Sequence, residues 1–578
     1  MNYPLIKAKK TITSLLKQAL RKKGYTDTVH LQQAPEGKGT FAYPCFSLCA
    51  QSKKAPEETA KEIESILEQS EIIEKTAVYS GYLNFFINEQ KIIEETLISI
   101  SKKKQNYGQL KDKQQKVIVE HTSANPNGPL HVGRARNPII GDTITRLFTA
   151  AGYHCESQFY VDDMGKQVAI LAWGMANISK DSIPTANQNK PDHYAVGFYQ
   201  IAHKKMENNQ AIRQEIAEIV KQSELGNTEI LKQIHDAYEP VLEGMKKSLK
   251  TINIKIDSYI PESKFVKDQS VEKIIKSLKK TPYCFEENGA YYLDLASFGI
   301  SGRNTKFFIT RKDGTSLYAT RDIAYHSWKS KHADKLIDIL GEDHKLESKQ
   351  VAIGLELIGE KHLPHPVFYS FVSLPGGKMS TRRGRVVSLD DLIEECINRA
   401  YKEVKKRRGH ELTDKKMNQI AFLIGTGALR YNIIKVQPEK DIVFKWDEAL
   451  SFEGNASPFI QYSHARASGI LSKNQTINLD SSFDAYSCLT HPSEKKLAMK
   501  LAELPEIIHN ASEHFRPHLL CSYLYEVASS FNQFYRDCPV LSEKDKKRQQ
   551  ARLHLVNATK TVIHNGLNIL GIKAPEEM

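Results

Sequence analysis

Several features are missing from this 578-residue chain, and each absence narrows its chemistry. No apolar run approaches the ~18 residues that a membrane-spanning helix needs, so no membrane partner is expected. The eight cysteines contain no CxxC pair and no Cys/His zinc spacing. Only Cys45 and Cys49 are near neighbours, which speaks for a reduced, cytoplasmic protein with buried thiols and no protein-bound metal. Neither GxxxxGK[ST] nor GxGxxG occurs, which excludes a Walker loop and a dinucleotide fingerprint. No internal repeat or low-complexity tract stands out. The first 25 residues are basic and amphipathic but lack a secretory core and cleavage site. Lys dominates over Arg and Ser there, so a basic helix capping the first domain is a better reading than an organelle presequence.

What is present begins with charge. A net +13 suggests a polyanionic partner, because neutralising phosphates releases counterions; composition alone leaves nucleic acid undecided. The length suits roughly three or four domains of ~150 residues. Residues 1–105 read as an α+β domain, with a basic helix, a strand at 39–49, a Glu/Lys helix at 56–69 and an aromatic-alternating strand at 77–88. Residues 106–388 alternate strands and helices, the pattern of a Rossmann-type doubly wound α/β domain, with a helical insertion at about 195–252. Strands are expected at 116–120, 155–161 and 335–341, and at 289–295, 306–310 and 316–320, with Asp313-Gly314 as a hairpin signal between the last two. Residues 389–450 form a helical connector and 451–578 an all-helical bundle.

Two segments carry the chemistry. In SANPNGPLHVGRARN (123–137) a Gly/Pro loop leaves a short apolar strand and enters a helix whose apolar series runs from Ile139 to Ala151. A helix start offers unpaired N–H groups and a positive dipole end, and His131, Arg134 and Arg136 add donors, all favourable to phosphate. A plain turn with a capping histidine is the competing reading. The second segment, LPGGKMSTRRGRVV (374–387), sets two glycines before Lys378 and places Arg382, Arg383 and Arg385 close behind. Mobile cations on flexible backbone suit a pyrophosphate leaving group; a basic surface loop is the bland alternative.

Together these segments resemble the paired signatures of class I aminoacyl-tRNA synthetases: HVGR for HIGH, and KMSTR for KMSKS about 245 residues later. VIVEHTSANPNGPLHVGRARN, FYVDDMGKQ, DGTSLYATRDIAY and the terminal APEEM resemble arginyl-tRNA synthetases, best their archaeal-type members, over nearly the whole chain. The resemblance implies an arginine–tRNA ligase using ATP with Mg²⁺, acting on L-arginine and tRNA(Arg) as a monomer, with activation dependent on bound tRNA. It also implies that Glu120, Ser123, Asn125, Tyr318, Asp322 and His344 contact arginine. His131, Gly133, Arg134, Asp343, Lys378, Met379 and Ser380 would handle ATP, with His131, Arg134, Lys378 and Ser380 catalytic. The residues themselves fit a cationic substrate: Glu120 ends a strand, Tyr318 and Asp322 are one helical turn apart, and carboxylates pair with guanidinium. Taken singly, Asp322 as a helix cap and Glu120 as the partner of a nearby arginine fit as well.

Two departures bear on this. HIGH ends in Arg134, which still donates to phosphate with a permanent charge. KMSKS has Thr381 for its second lysine, with Arg382 or Arg383 as substitutes. Asp162 and Asp163 end a strand near the site without an assignable role. For tRNA, the family's anticodon-binding domain corresponds to the helical bundle, with Tyr462, His464, Arg466, Asn532 and Tyr535 as contacts. The amino-terminal domain corresponds to the part that meets the tRNA elbow, with Asn84 and Phe86. Aromatics on a bundle helix are more often core, the competing reading there. Two functional rivals remain: another class I synthetase, and a paralogue that binds tRNA without charging it.

Overall fold

The computed structural model describes residues 3–35, 37–186, 188–373, 387–473 and 483–578. Its centre is a five-stranded, all-parallel sheet in the order Pro364–Tyr369, Lys335–Gly341, Lys116–Glu120, His154–Val161, Ser258–Pro261. The chain winds outward from Lys116–Glu120 in one direction, then returns to its other side. The doubly wound order therefore has its switch point between Lys116–Glu120 and Lys335–Gly341, where such sheets bind ligands beyond their strand ends. Val117, Ile118 and Val119 are fully buried, as a strand covered on both faces requires. The edge strands Ser258–Pro261 and Pro364–Tyr369 carry prolines and little alternation, so neither had a readable strand pattern.

The insertion is three helices, Pro191–Asn208, Gln210–Glu224 and Thr228–Thr251. Beside it, Cys284–Glu287, Ala290–Asp294 and Lys306–Phe308 form a small antiparallel sheet. Residues 316–320 are not the strand their composition suggests. Asp313-Gly314 does turn the chain, with Gly314 at φ 83°, but pairing stops at the single bridge Thr310–Ser316. Tyr318 then opens the helix Tyr318–Ser330.

In the amino-terminal region the helix Pro4–Lys22 buries Leu5, Ala8, Ile12 and Leu16 against a four-stranded antiparallel sheet. The run 77–88, read as one strand, is two: Ile73–Tyr79 and Tyr82–Ile87. Ser80 and Gly81 both take positive φ (50° and 81°), as a tight hairpin turn requires, and Ser-Gly was the signal. From Leu389 onward the chain is almost wholly helical. Buried Arg430 ties this half to the α/β domain, pairing with Asp142 at 2.6 Å and donating to the Ile252 and Leu570 carbonyls. No helix among the described residues is long and apolar enough to cross a membrane.

Candidate active site

The loop after Glu120 is held in an uncommon backbone. Thr122 (φ 74°) and Ser123 (φ 36°) both lie in the left-handed region, costly for a β-branched residue and tolerated where the surroundings over-determine it. They do: the Thr122 N–H donates to Asn137 Oδ1 (2.5 Å), and Ser123 Oγ accepts from the Tyr160 N–H while donating to Glu120 Oε1, each at 3.1 Å. Gly141 on the following helix faces His121 so closely that a Cβ there would meet its Cβ at 2.3 Å. The strand end and the helix after the loop are thus locked together.

His131 ends the loop as the cap of a short 3₁₀ turn, Val132–Arg134, which leads into the helix Arg136–Ala150. Its Nδ1 accepts from the Gly133 N–H at 2.9 Å, so the neutral ring carries its proton on Nε2. Burial, and then the Arg134 charge, hold its pKa below the ordinary histidine value, so the ring is a neutral donor near pH 7. Arg134 is exposed. Arg136, expected among the phosphate donors, is instead fully buried and donates to the carbonyls of Ser370, Gln437 and Lys440. It braces the chain that leads toward residue 374. Lys378, Met379 and Ser380, with Thr381, Arg382, Arg383 and Arg385, lie outside the described residues. The chain re-enters at Val387, whose carbonyl accepts from the Val132 N–H (3.0 Å), while the Leu389 N–H donates to the Leu130 carbonyl (2.7 Å). The first motif therefore meets the residues just after the second.

Across the switch point the register places Glu120 beside Asp338. Two carboxylates on adjacent strands need a cation, and the Lys329 ammonium lies between them, 2.7 Å from Glu120 and 2.8 Å from Asp338. His326 donates to the other Asp338 oxygen at 2.7 Å. Burial opposes every charge here, but the mutual pairing prevails: Asp338 is held well below the carboxylate range and Lys329 above its ordinary value. Glu120 is thus paired internally, by a lysine. Asp338, His326 and Lys329 were missed, although a lone Asp inside the apolar run KLIDILG demanded a partner.

Asp322 differs. Burial, reinforced by Glu347 and Glu120, pushes its pKa up to about 7 in spite of His326 and Lys329. A carboxylate so disfavoured is poised for a cationic ligand. Tyr318, one turn earlier, is exposed, with its hydroxyl beside Asp162 and Gly165. Asn125 is half-buried on the loop, and Asp343 and His344 follow the strand Lys335–Gly341 at the same sheet end. The bond to Glu347 Oε2 (3.0 Å) raises the His344 pKa. Asp163 receives two bonds from Ser263, 100 residues on, and so joins two strand ends. Asp162 Oδ1 accepts from the Gly165 N–H at 3.0 Å.

In the bundle, Arg466 lies between the Tyr462 and Tyr535 rings (4.7 and 5.0 Å to their centroids) and bonds Asn532. Tyr462, Arg466 and Asn532 border a cavity of about 640 Å³ with Phe452, Arg407 and Arg408. Two of the expected RNA contacts need correction. His464 is fully buried, with Nδ1 against the Pro575 carbonyl, and Asn84 is a core position of the amino-terminal sheet whose amide bonds Tyr82. Both read as polar candidates by position along the sequence but face inward, so neither side chain is presented to RNA. Phe86 is half-buried beneath Lys75.

The parallel sheet, its switch-point histidine and the appended helical bundle define a class I aminoacyl-tRNA synthetase. The family model described as "tRNA synthetases class I (R), catalytic domain" matches residues 96–446. The model described as "Arginyl tRNA synthetase N terminal domain" matches 9–87, and the "DALR anticodon binding domain" model matches 460–578. The arginine–tRNA ligase of Methanocella arvoryzae is 43% identical over 565 residues, 98% of each chain, and that of Methanococcus aeolicus is 41% identical over 96% of each. The solved arginyl-tRNA synthetase of Thermus thermophilus superposes with a TM-score of 0.84 at 27% identity, covering 98% of this chain and 100% of that one. That of Plasmodium falciparum, at 19% identity, supports the fold (TM-score 0.78, 98% and 99% covered). The chain belongs to the arginyl-tRNA synthetases and, like them, is an arginine–tRNA ligase.

Proposed function

We propose that the two substrates of amino-acid activation meet over the switch point, arginine toward Glu120, Ser123, Asn125, Tyr318, Asp322 and His344, and ATP toward His131, Gly133, Arg134 and Asp343. Lys378, Met379 and Ser380 join the ATP side by resemblance to the family. The observation that carries this reading is the Asp322 carboxylate, raised to about 7 by burial, beside Glu120 at the strand end. Arginine's carboxylate attacks the α-phosphorus of ATP; the P–O bond to pyrophosphate breaks, giving arginyl-adenylate. A hydroxyl of the tRNA 3′-terminal ribose then attacks the arginyl carbonyl, and AMP leaves with its bonding electron pair. The residues contribute by holding groups in place and stabilising charge: neutral His131 donates through Nε2, Arg134 supplies a fixed charge, and Asp322 ionises against the guanidinium.

Mg²⁺ does not fit the His/carboxylate groupings among the described residues. Glu120 and Asp338 already hold the Lys329 ammonium, with His326 on Asp338, and Asp192 and Asp390 hold Lys190, with His193 on Asp390. Mg²⁺ therefore arrives with ATP, and no step here passes through it.

For tRNA, the Tyr462–Arg466–Tyr535 stack offers exposed π-faces to splayed bases. A cavity of about 850 Å³ between the amino-terminal domain and the bundle is lined by Lys9, Lys495, Lys496 and Lys500 and by Glu89, Glu503 and Glu506. With Lys9 paired to Glu506 and Lys500 to Glu503, Lys495 and Lys496 are the cations it offers to phosphodiester backbone. The enzyme acts as a cytoplasmic monomer in this reading. Charging of tRNA with radiolabelled arginine tests it, and intact tRNA binding without arginylation would leave only the non-charging paralogue. Asp322→Ala should lose arginine affinity far more than ATP affinity; equal loss of both would mean that the pocket is misassigned.

A further inference from the structure

A second buried charge cluster joins two elements about 200 residues apart. Asp390, the second residue of the helix Leu389–Arg408, is 8% exposed. Its Oδ2 accepts from Lys190 Nζ (2.7 Å) and from His193 Nε2 (2.8 Å). Lys190 precedes the insertion helix Pro191–Asn208 and also donates to Ser248 Oγ (2.5 Å) on Thr228–Thr251. One ammonium thus links three helices. Asp192, fully buried, contributes a second carboxylate 3.5 Å from Lys190. This grouping has the spacing of a metal site, but Lys190 supplies the cation, so ion binding is not the inference.

What makes the cluster matter is the sequence position of Asp390. Residues 387–389 are joined to residues 130–132 by the two backbone bonds described above, which together make His131 and Ser388 an antiparallel bridge. Ser388 caps the helix in a reciprocal box with Asp391. The helix start is therefore held on one side by the His131 segment and on the other, through Asp390, by the insertion. His131, Ser388, Asp391 and His193 also border one cavity of about 710 Å³. A buried ion cluster is seldom worth more stability than apolar packing of the same volume, so its value lies in specifying position.

We propose that Asp390 is a positioning residue for activation: anchored by Lys190 and His193, it fixes the helix start against which the His131 segment is aligned. The inference rests on the ATP role assigned to His131. Asp390→Asn keeps the shape but removes the charge that pairs with Lys190. With the full-length enzyme and its tRNA, arginylation and ATP–pyrophosphate exchange are measured per titrated active site. The variant should lose roughly tenfold or more in kcat and show a raised ATP KM, with arginine KM and tRNA affinity within about twofold of the parent. His193→Gln should cost less, and the double variant no more than Asp390→Asn alone, because the two act as one unit. Lys190→Arg, which keeps the charge, should retain more activity than Lys190→Gln.

Unchanged kcat per active site and ATP KM in Asp390→Asn overturns the proposal, even if the melting temperature falls, since that is what a purely structural role does. If Asp390→Asn does not fold, the Lys190→Gln and His193→Gln variants are judged by the same criterion. His131→Ala run in parallel separates the two readings. If it is silent in ATP KM and kcat, the ATP assignment fails and this inference with it. If it is impaired while Asp390→Asn is not, this inference alone fails.

Discussion

Arginine should bind this enzyme more tightly as the pH rises from 6 to 8, and Asp322 should be the reason. Burial pushes its carboxyl up to about 7, with Glu347 and Glu120 adding to the effect. Only the ionised form pairs with a guanidinium. With a pKa near 7, roughly one-tenth of the unliganded sites are ionised at pH 6 and roughly nine-tenths at pH 8. If bound arginine returns the pKa to the ordinary carboxylate range, apparent affinity rises about tenfold across that interval, ~1.4 kcal/mol, and a proton leaves on binding at the lower pH. The sign for stability is opposite. A raised carboxyl pKa penalises the charged form, so the unliganded fold loses stability as pH climbs from the usual carboxyl value toward 7, and arginine recovers it. Calorimetry in buffers of different ionisation enthalpy reads both affinity and proton release. His344, whose pKa is raised by Glu347, titrates nearby and also opposes a cation at low pH, so Asp322→Asn is the control. The reasoning is refuted if affinity is flat from pH 6 to 8, or if its slope survives in Asp322→Asn.

Other perturbations should act as follows. Lys329→Met leaves Glu120 and Asp338 facing each other with only His326 to compensate; a loss of about 3–5 kcal/mol is expected by denaturant unfolding, the cost of breaking a buried pair. Gly141→Ala drives a methyl into His121 and should cost about 1–3 kcal/mol, read as a fall in melting temperature with arginine KM moved through the displaced loop. Tyr535→Ala should weaken tRNA binding by about 1–3 kcal/mol in filter binding and leave arginine KM unchanged, as loss of a stacking surface would. His464→Ala should lower stability with tRNA affinity kept, because that ring packs inward against Pro575.

The division between what was legible in the chain and what was not follows from range. Strands at Lys116–Glu120 and Lys335–Gly341, the helix after His131 and the all-helical second half rest on local periodicity, and the motif pair rests on residue type and order; these need no knowledge of distant partners. The Ser80-Gly81 hairpin is equally local, but aromatic alternation continues through it and masks the turn. By contrast, the edge strands are made by pairing with neighbours, and 316–320 becomes a helix start because residues 306–308 already complete the small sheet.

Charge sorting was the least legible. Glu120, Asp322 and Asp338 are all carboxylates along the sequence. Only the register that sets Glu120 beside Asp338, with Lys329 reaching up from the helix Tyr318–Ser330, neutralises two of them and leaves Asp322 to be discharged by substrate. Likewise His464 and Tyr462 are two residues apart, yet the helix turns one into the core and the other to solvent, and Arg136 turns inward two residues after exposed Arg134. Residue type and spacing located a phosphate-friendly loop and carboxylates suited to a cation, and resemblance to a known family made of them a ligase for arginine and tRNA. Which carboxylate is free to ionise against arginine depends on through-space electrostatics and burial, properties of packed neighbours that a linear sequence does not contain.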